Sequence, residues 1–249
     1  MPMLIVANWK AYVESSTKAK VLLASAKKLA AVSPHEIVLA PPSPLLGLLT
    51  PGNRSKVRFG AQDVSDSTGG AATGEVTAAL LSGMGVKYVI VGHSERRAQG
   101  ETNEVVASKV SHALAHGLTP IVCIGERERD ADATYLHGLR AQLAAVFAPL
   151  SQKERMEVVV AYEPIWAIGK TAADAITAHD LREMVLYIRK VLEEYLPGKG
   201  ASSIRVIYGG SVEPGDVREL ASGSGADGFL VGHASADVGM FTKLVREIS

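Results

Sequence analysis

The chain has 249 residues, 47% of them hydrophobic and 21% charged, which is enough apolar surface for a sizeable core and too much for a disordered segment. Lys plus Arg and Asp plus Glu both number 26, so no global field draws in a polyanion or a membrane surface, and an anionic ligand must be held by a local site. A single cysteine, Cys123, excludes an internal disulfide and suits a reducing compartment, and neither a CxxC pair nor a His-rich metal pattern is present.

Length alone leaves open one large domain or two small ones. The first apolar run, LIVANW (4–9), is too short for a signal-peptide core. It runs into Asn8, Trp9 and Lys10, where an open dinucleotide-binding sheet would carry GxGxxG. Further strand runs follow in EIVLAP (36–41), VRFGAQ (57–62), KYVIVG (87–92), TPIVCIG (119–125), EVVVAYE (157–163), IRVIYG (204–209) and GFLVG (228–232). Each is nearly continuous in apolar residues, as a parallel strand buried on both faces requires. Between them lie amphipathic stretches such as 174–196, where Leu181, Val185, Ile188 and Leu192 recur at helical spacing before Pro197 and Gly198.

Eight βα alternations predict an α/β fold, a (β/α)8 barrel of parallel strands surrounded by helices, occupying residues 1–249 as one domain. The Gly-rich segment STGGAATG (67–74) reads as a protruding loop after the third strand. No apolar stretch reaches membrane-spanning length, which together with the N-terminus predicts a cytoplasmic protein.

In an α/β barrel the active site lies at the C-terminal ends of the strands. Asn8 and Lys10 follow the first strand, His93 and Glu95 the fourth, and Glu163 the sixth, so all five converge on one mouth. Gly-rich turns, YGGSV (208–212) and LVGHAS (230–235), follow the last two strands, where barrels commonly bind phosphate through backbone N–H groups and a helix N-terminus. Gly169-Lys170-Thr171 imitates the end of a nucleotide-binding loop, but Pro164 stands where that motif needs glycine.

With these residues placed, the chain resembles the triosephosphate isomerase family over nearly its whole length, through ANWK, GHSERR, CIGE, AYEPIWAIG, IYGGSV and DGFLVG in order. The resemblance implies a TIM barrel and a cofactor-free, metal-free isomerase of glycolysis and gluconeogenesis. It would interconvert dihydroxyacetone phosphate and D-glyceraldehyde 3-phosphate through an enediolate. By resemblance Glu163 is the base, His93 a neutral electrophile kept so by a helix N-terminus, Lys10 the fixed positive charge, Asn8 the source of a hydrogen bond and Glu95 the ion-pair partner of Lys10. Ser211 and the backbone N–H groups of Gly169, Gly210 and Gly232 become the phosphate contacts. The loop over about 164–172 becomes a lid that excludes water.

The resemblance also implies a homodimer in which the loop around Thr73 and Glu75 reaches the partner's Asn8 and Lys10. No nucleic-acid or membrane partner is expected. Ser211 is also expected to cap a following helix, Cys123 to pack, Glu126 and Arg96 to form structural ion pairs, and Trp166 to serve as the lid hinge.

Two departures stand out. The lid lacks the Thr-Gly that the family places between Gly169 and Lys170, and His233 replaces a glycine. At that position a positive φ is expected, with the His233 N–H serving the phosphate and the imidazole directed away. An isomerase of another sugar phosphate, or a barrel that binds a phosphorylated metabolite without turnover, are the alternative readings.

Overall fold

The structure, a computed structural model, describes residues 2–167, 176–198 and 200–249. Eight parallel strands, β1 (Leu4–Asn8), β2 (Glu36–Ala40), β3 (Arg58–Ala61), β4 (Tyr88–Val91), β5 (Thr119–Ile124), β6 (Val159–Tyr162), β7 (Val206–Tyr208) and β8 (Gly228–Val231), form a closed barrel in chain order. The ring is closed by β8 against β1, with Ile5 opposite Phe229 and Ala7 opposite Val231.

Every expected strand forms, and every one is shorter than its apolar run. At the C-terminal ends the residues that leave the ladder are Trp9, Pro41, Gln62, Gly92, Gly125, Glu163, Gly209 and Gly232. Proline has no N–H to donate, glycine turns easily, and the polar ones are freed to face the mouth. The trimming therefore coincides with the rim of the site.

Side chains alternate along each strand and split the core in two. Leu4 and Val6 point into the barrel interior with Val38, Ile90, Cys123 and Ile207. Ile5 and Ala7 point outward against the helical layer with Leu22, Phe147 and Phe241. Both faces are dry, which explains why the strand runs read as continuously apolar.

The long helix between β6 and β7 runs Ala178–Leu192, inside the expected 174–196. It starts late because the Thr177 hydroxyl accepts the Asp180 N–H and caps it. Residues 174 and 175 lie outside the described residues. Its buried stripe contains Leu181, Val185, Ile188 and Leu192, as the spacing predicts. Among the described residues no helix is long and apolar enough to cross a membrane.

Candidate active site

Asn8 ends β1 in a buried position, and its Oδ1 accepts the Lys10 N–H at 3.1 Å. Lys10 follows with φ of 44°, a conformation that costs a non-glycine residue about 1–3 kcal/mol unless its surroundings enforce it. Here Gln62, the residue that closes the third strand run, donates to the Lys10 carbonyl at 3.0 Å and to the Ala40 carbonyl at 2.9 Å. The bend turns the lysine toward the mouth, where Nζ meets Glu95 Oε1 at 2.7 Å.

His93 occupies the N-cap of the short helix Ser94–Ala98, and its Nδ1 accepts the Glu95 N–H at 3.2 Å. An amide N–H can only donate, so Nδ1 carries no proton and the ring proton of the neutral imidazole sits on Nε2. That Nε2 lies 3.1 Å from Glu163 Oε1.

Glu163 is buried at the end of β6, its backbone tied by an N–H to the Ile124 carbonyl at 2.8 Å. Oε2 accepts the Ser94 N–H at 2.9 Å. Oε1 is buried and, although close to His93, meets no hydrogen-bond geometry among the described residues. Burial pushes the carboxyl above its ordinary value of 4.5, against the opposing pull of His93, the Ser94 N–H and Lys10.

Gly125 makes this placement possible: a Cβ there would lie 1.8 Å from the Glu163 carbonyl oxygen. A Cβ on Gly209 would likewise come within 3.0 Å of Glu163 Cγ. The glycines of CIGE and YGGSV thus make room for the carboxylate as well as for a ligand.

A cavity of about 290 Å³ opens at the C-terminal mouth. It is lined by Asn8, Lys10, His93 and Glu163, and also by Gly210, Ser211, Gly232 and His233, so both expected sets share one space. Glu95 stands at its edge through Lys10. Gly169 and the other residues of the expected lid from 168 onward to 172 lie outside the described residues. The lid's first turn, Ile165–Ala167, is described, and Ser211 Oγ makes a long 3.5 Å contact to the Ala167 carbonyl.

Trp166 is anchored within the turn Ile165–Ala167. Its Nε1 donates to Glu126 Oε1 at 2.8 Å, and the Arg129 guanidinium lies 4.8 Å from its ring centroid. Glu126 and Arg96 do form ion pairs, with Arg129 at 2.9 Å and Asp63 at 3.0 Å respectively. Cys123 is fully buried in the barrel interior, and burial pushes its thiol well above the ordinary range, as packing without nucleophilic chemistry requires.

Two expectations are corrected. Ser211 does not cap the next helix, which begins at Val217, because Pro214 and the positive φ of Gly215 (111°) interpose a turn. His233 does not adopt positive φ. It opens a tight turn, His233–Ala236, because the Ser235 hydroxyl and N–H both bind the Gly232 carbonyl, at 2.6 and 2.9 Å. His233 lines the cavity, and its side chain is largely exposed.

Sequence reasoning missed Gln62, Ser94, Gly125, Tyr12 and Glu213. Gln62 was within reach of the rule that found Asn8 and Glu163, a polar residue closing an apolar strand. Ser94 acts through its backbone N–H, and Gly125 through a missing side chain, so neither has a side-chain signature.

A family model described as triosephosphate isomerase matches residues 3–248. A triosephosphate isomerase of Thermus thermophilus is 41% identical over 98% of this chain and 97% of its own length. One of Streptomyces coelicolor is 42% identical over 84% of this chain and 82% of its own, and one of Moorella thermoacetica 39% identical over 98% and 97%.

Proposed function

The chain belongs to the triosephosphate isomerase family and isomerises a triose phosphate; from this premise we propose that Glu163, His93, Lys10 and Asn8 carry the reaction. Exchange of a ketone and an aldehyde removes a proton from the carbon beside a carbonyl and returns one to its neighbour. Protons leave and return with no external oxidant, so no cofactor or metal is assigned.

Glu163 is the base. Desolvation makes its carboxylate more basic than an exposed one, and Oε1, which accepts no hydrogen bond, is placed to take a carbon-bound proton. Because Nδ1 is occupied by the Glu95 N–H, His93 presents Nε2–H to the carbonyl oxygen and to the enediolate oxygens that succeed it. Lys10 adds fixed positive charge where negative charge develops, and Asn8 holds the lysine backbone in place. Gly210, Ser211, Gly232 and the N–H of His233 grip the phosphate, with Gly169 joining from the lid. That remote binding energy supports closure over the reacting carbons.

We further propose a single barrel domain over 1–249, a cytoplasmic location, and a homodimer through the loop around Thr73. Thr73 is exposed, and the loop is pinned at its base by the Ser65 N–H to the Val76 carbonyl at 2.9 Å, so it projects as a formed element.

The observation that carries this reading is a buried Glu163 carboxylate 3.1 Å from a histidine whose Nδ1 is occupied, in one cavity with Lys10. A coupled assay in both directions on wild type, Glu163→Gln and a series of longer sugar phosphates tests it. Turnover of triose phosphates that is lost in the variant is the expected result. An inactive wild type, or preference for a longer substrate, would overturn it.

A further inference from the structure

The phosphate end of the cavity carries a negative charge of its own. Glu213, five residues beyond Tyr208 at the end of β7, lines the cavity with a half-exposed side chain. A carboxylate there opposes a phosphate dianion, since like charges disfavour each other across a few ångströms. Its neighbour at the rim is His233, whose Nδ1 lies 3.8 Å from Glu213 Oε1.

The imidazole is also held from its other side. Tyr12, from the loop after β1, meets it edge-on with ring centroids 5.5 Å apart and planes at 83°. Residues following β1, β7 and β8 therefore fix one histidine against one carboxylate at the rim. The other lining groups able to carry charge are Lys10, already paired with Glu95, and the His93–Glu163 pair.

We propose that His233 and Glu213 are a counter-charge pair that sets the affinity of the site for the phosphate group. His233 acts chiefly by cancelling Glu213. Both residues line the cavity, so a charge on either acts on an arriving phosphate. Tyr12 positions the ring. This deepens the proposed function and rests on its placing of the phosphate at Gly210, Ser211 and Gly232.

A double-mutant cycle of Glu213→Gln, His233→Asn and the double variant tests the pair, read by KM for triose phosphate and by calorimetric binding of inorganic phosphate. Both side chains are exposed enough for the variants to fold: His233 is 65% and Glu213 43% exposed. Glu213→Gln is expected to tighten both quantities about three- to fivefold, the size of one charge removed several ångströms away in a watery rim. His233→Asn is expected to weaken them by a similar factor in the wild-type background and to have little effect beside Glu213→Gln. Both single effects should shrink at high salt, which a merely structural role would not produce.

An unchanged Glu213→Gln, or a His233→Asn effect of equal size in both backgrounds, would overturn the pair. An inactive wild type would instead strike the proposed isomerase function, and phosphate binding would still decide the pair.

Discussion

Glu163 combines two properties that oppose each other. Its burial raises the carboxyl's affinity for a proton, which suits the proposed role as base and burdens folding. The folded protein holds this proton more tightly than the unfolded chain does. The resulting stability is therefore present at low pH and lost as pH rises from the ordinary value of 4.5 through the raised folded one. Glu163→Gln removes that dependence, so its melting temperature relative to wild type should be more favourable at pH 8 than at pH 4. Melting curves at the two pH values check this, and a difference of the opposite sign would contradict the raised carboxyl.

Gln62→Ala should remove two hydrogen bonds that hold Lys10 in its disfavoured backbone conformation. A loss of about 1–3 kcal/mol in denaturant unfolding is expected, with a fall in kcat as Lys10 relaxes. At this scale the sequence pointed to Lys10, His93 and Glu163 because each is a polar side chain at a strand end, and the structure brings the three to one cavity. The sequence concealed Ser94 and Gly125, which act through a backbone N–H and an empty volume. It misjudged His233, whose turn is dictated by Ser235 two residues on.

At the scale of elements, the strand ends fix the site. The CIGE turn after β5 passes so close to Glu163 that Gly125→Ala must displace one of the two. Misplacement of a catalytic group by about 1 Å can cost on the order of 10²-fold in rate. We expect a kcat loss of at least tenfold with the substrate's KM little changed, measured by steady-state kinetics.

The lid's first turn is secured by Trp166 to Glu126. Trp166→Phe keeps the ring over Arg129 and deletes the indole donor, so kcat should change more than stability does. Strands and the long helix were legible because period-two and 3.6-residue patterns are strong in this chain. Their ends were less so, because the last residue of each run is spent on the mouth instead of the ladder.

For the whole molecule, closure of eight strands brings Asn8, His93, Glu163 and Ser211, scattered over two hundred residues of chain, to one cavity. Net charge of zero is consistent with the proposed local cradle for the anion. The barrel itself was legible from the eightfold alternation. The proposed partner subunit was legible only through resemblance, since an exposed loop does not name what covers it. Sedimentation should give the mass of two chains, and Thr73→Arg should shift it toward one chain with at least a tenfold loss of activity.

The central claim is that Glu163 takes a proton from carbon. Turnover in D2O tests it directly, by the deuterium that solvent delivers to the carbon-bound positions of the triose phosphate. Wild type should incorporate deuterium as it isomerises, and Glu163→Gln should slow that incorporation by about 10²–10⁴-fold. Incorporation at the wild-type rate in the variant would contradict the assignment.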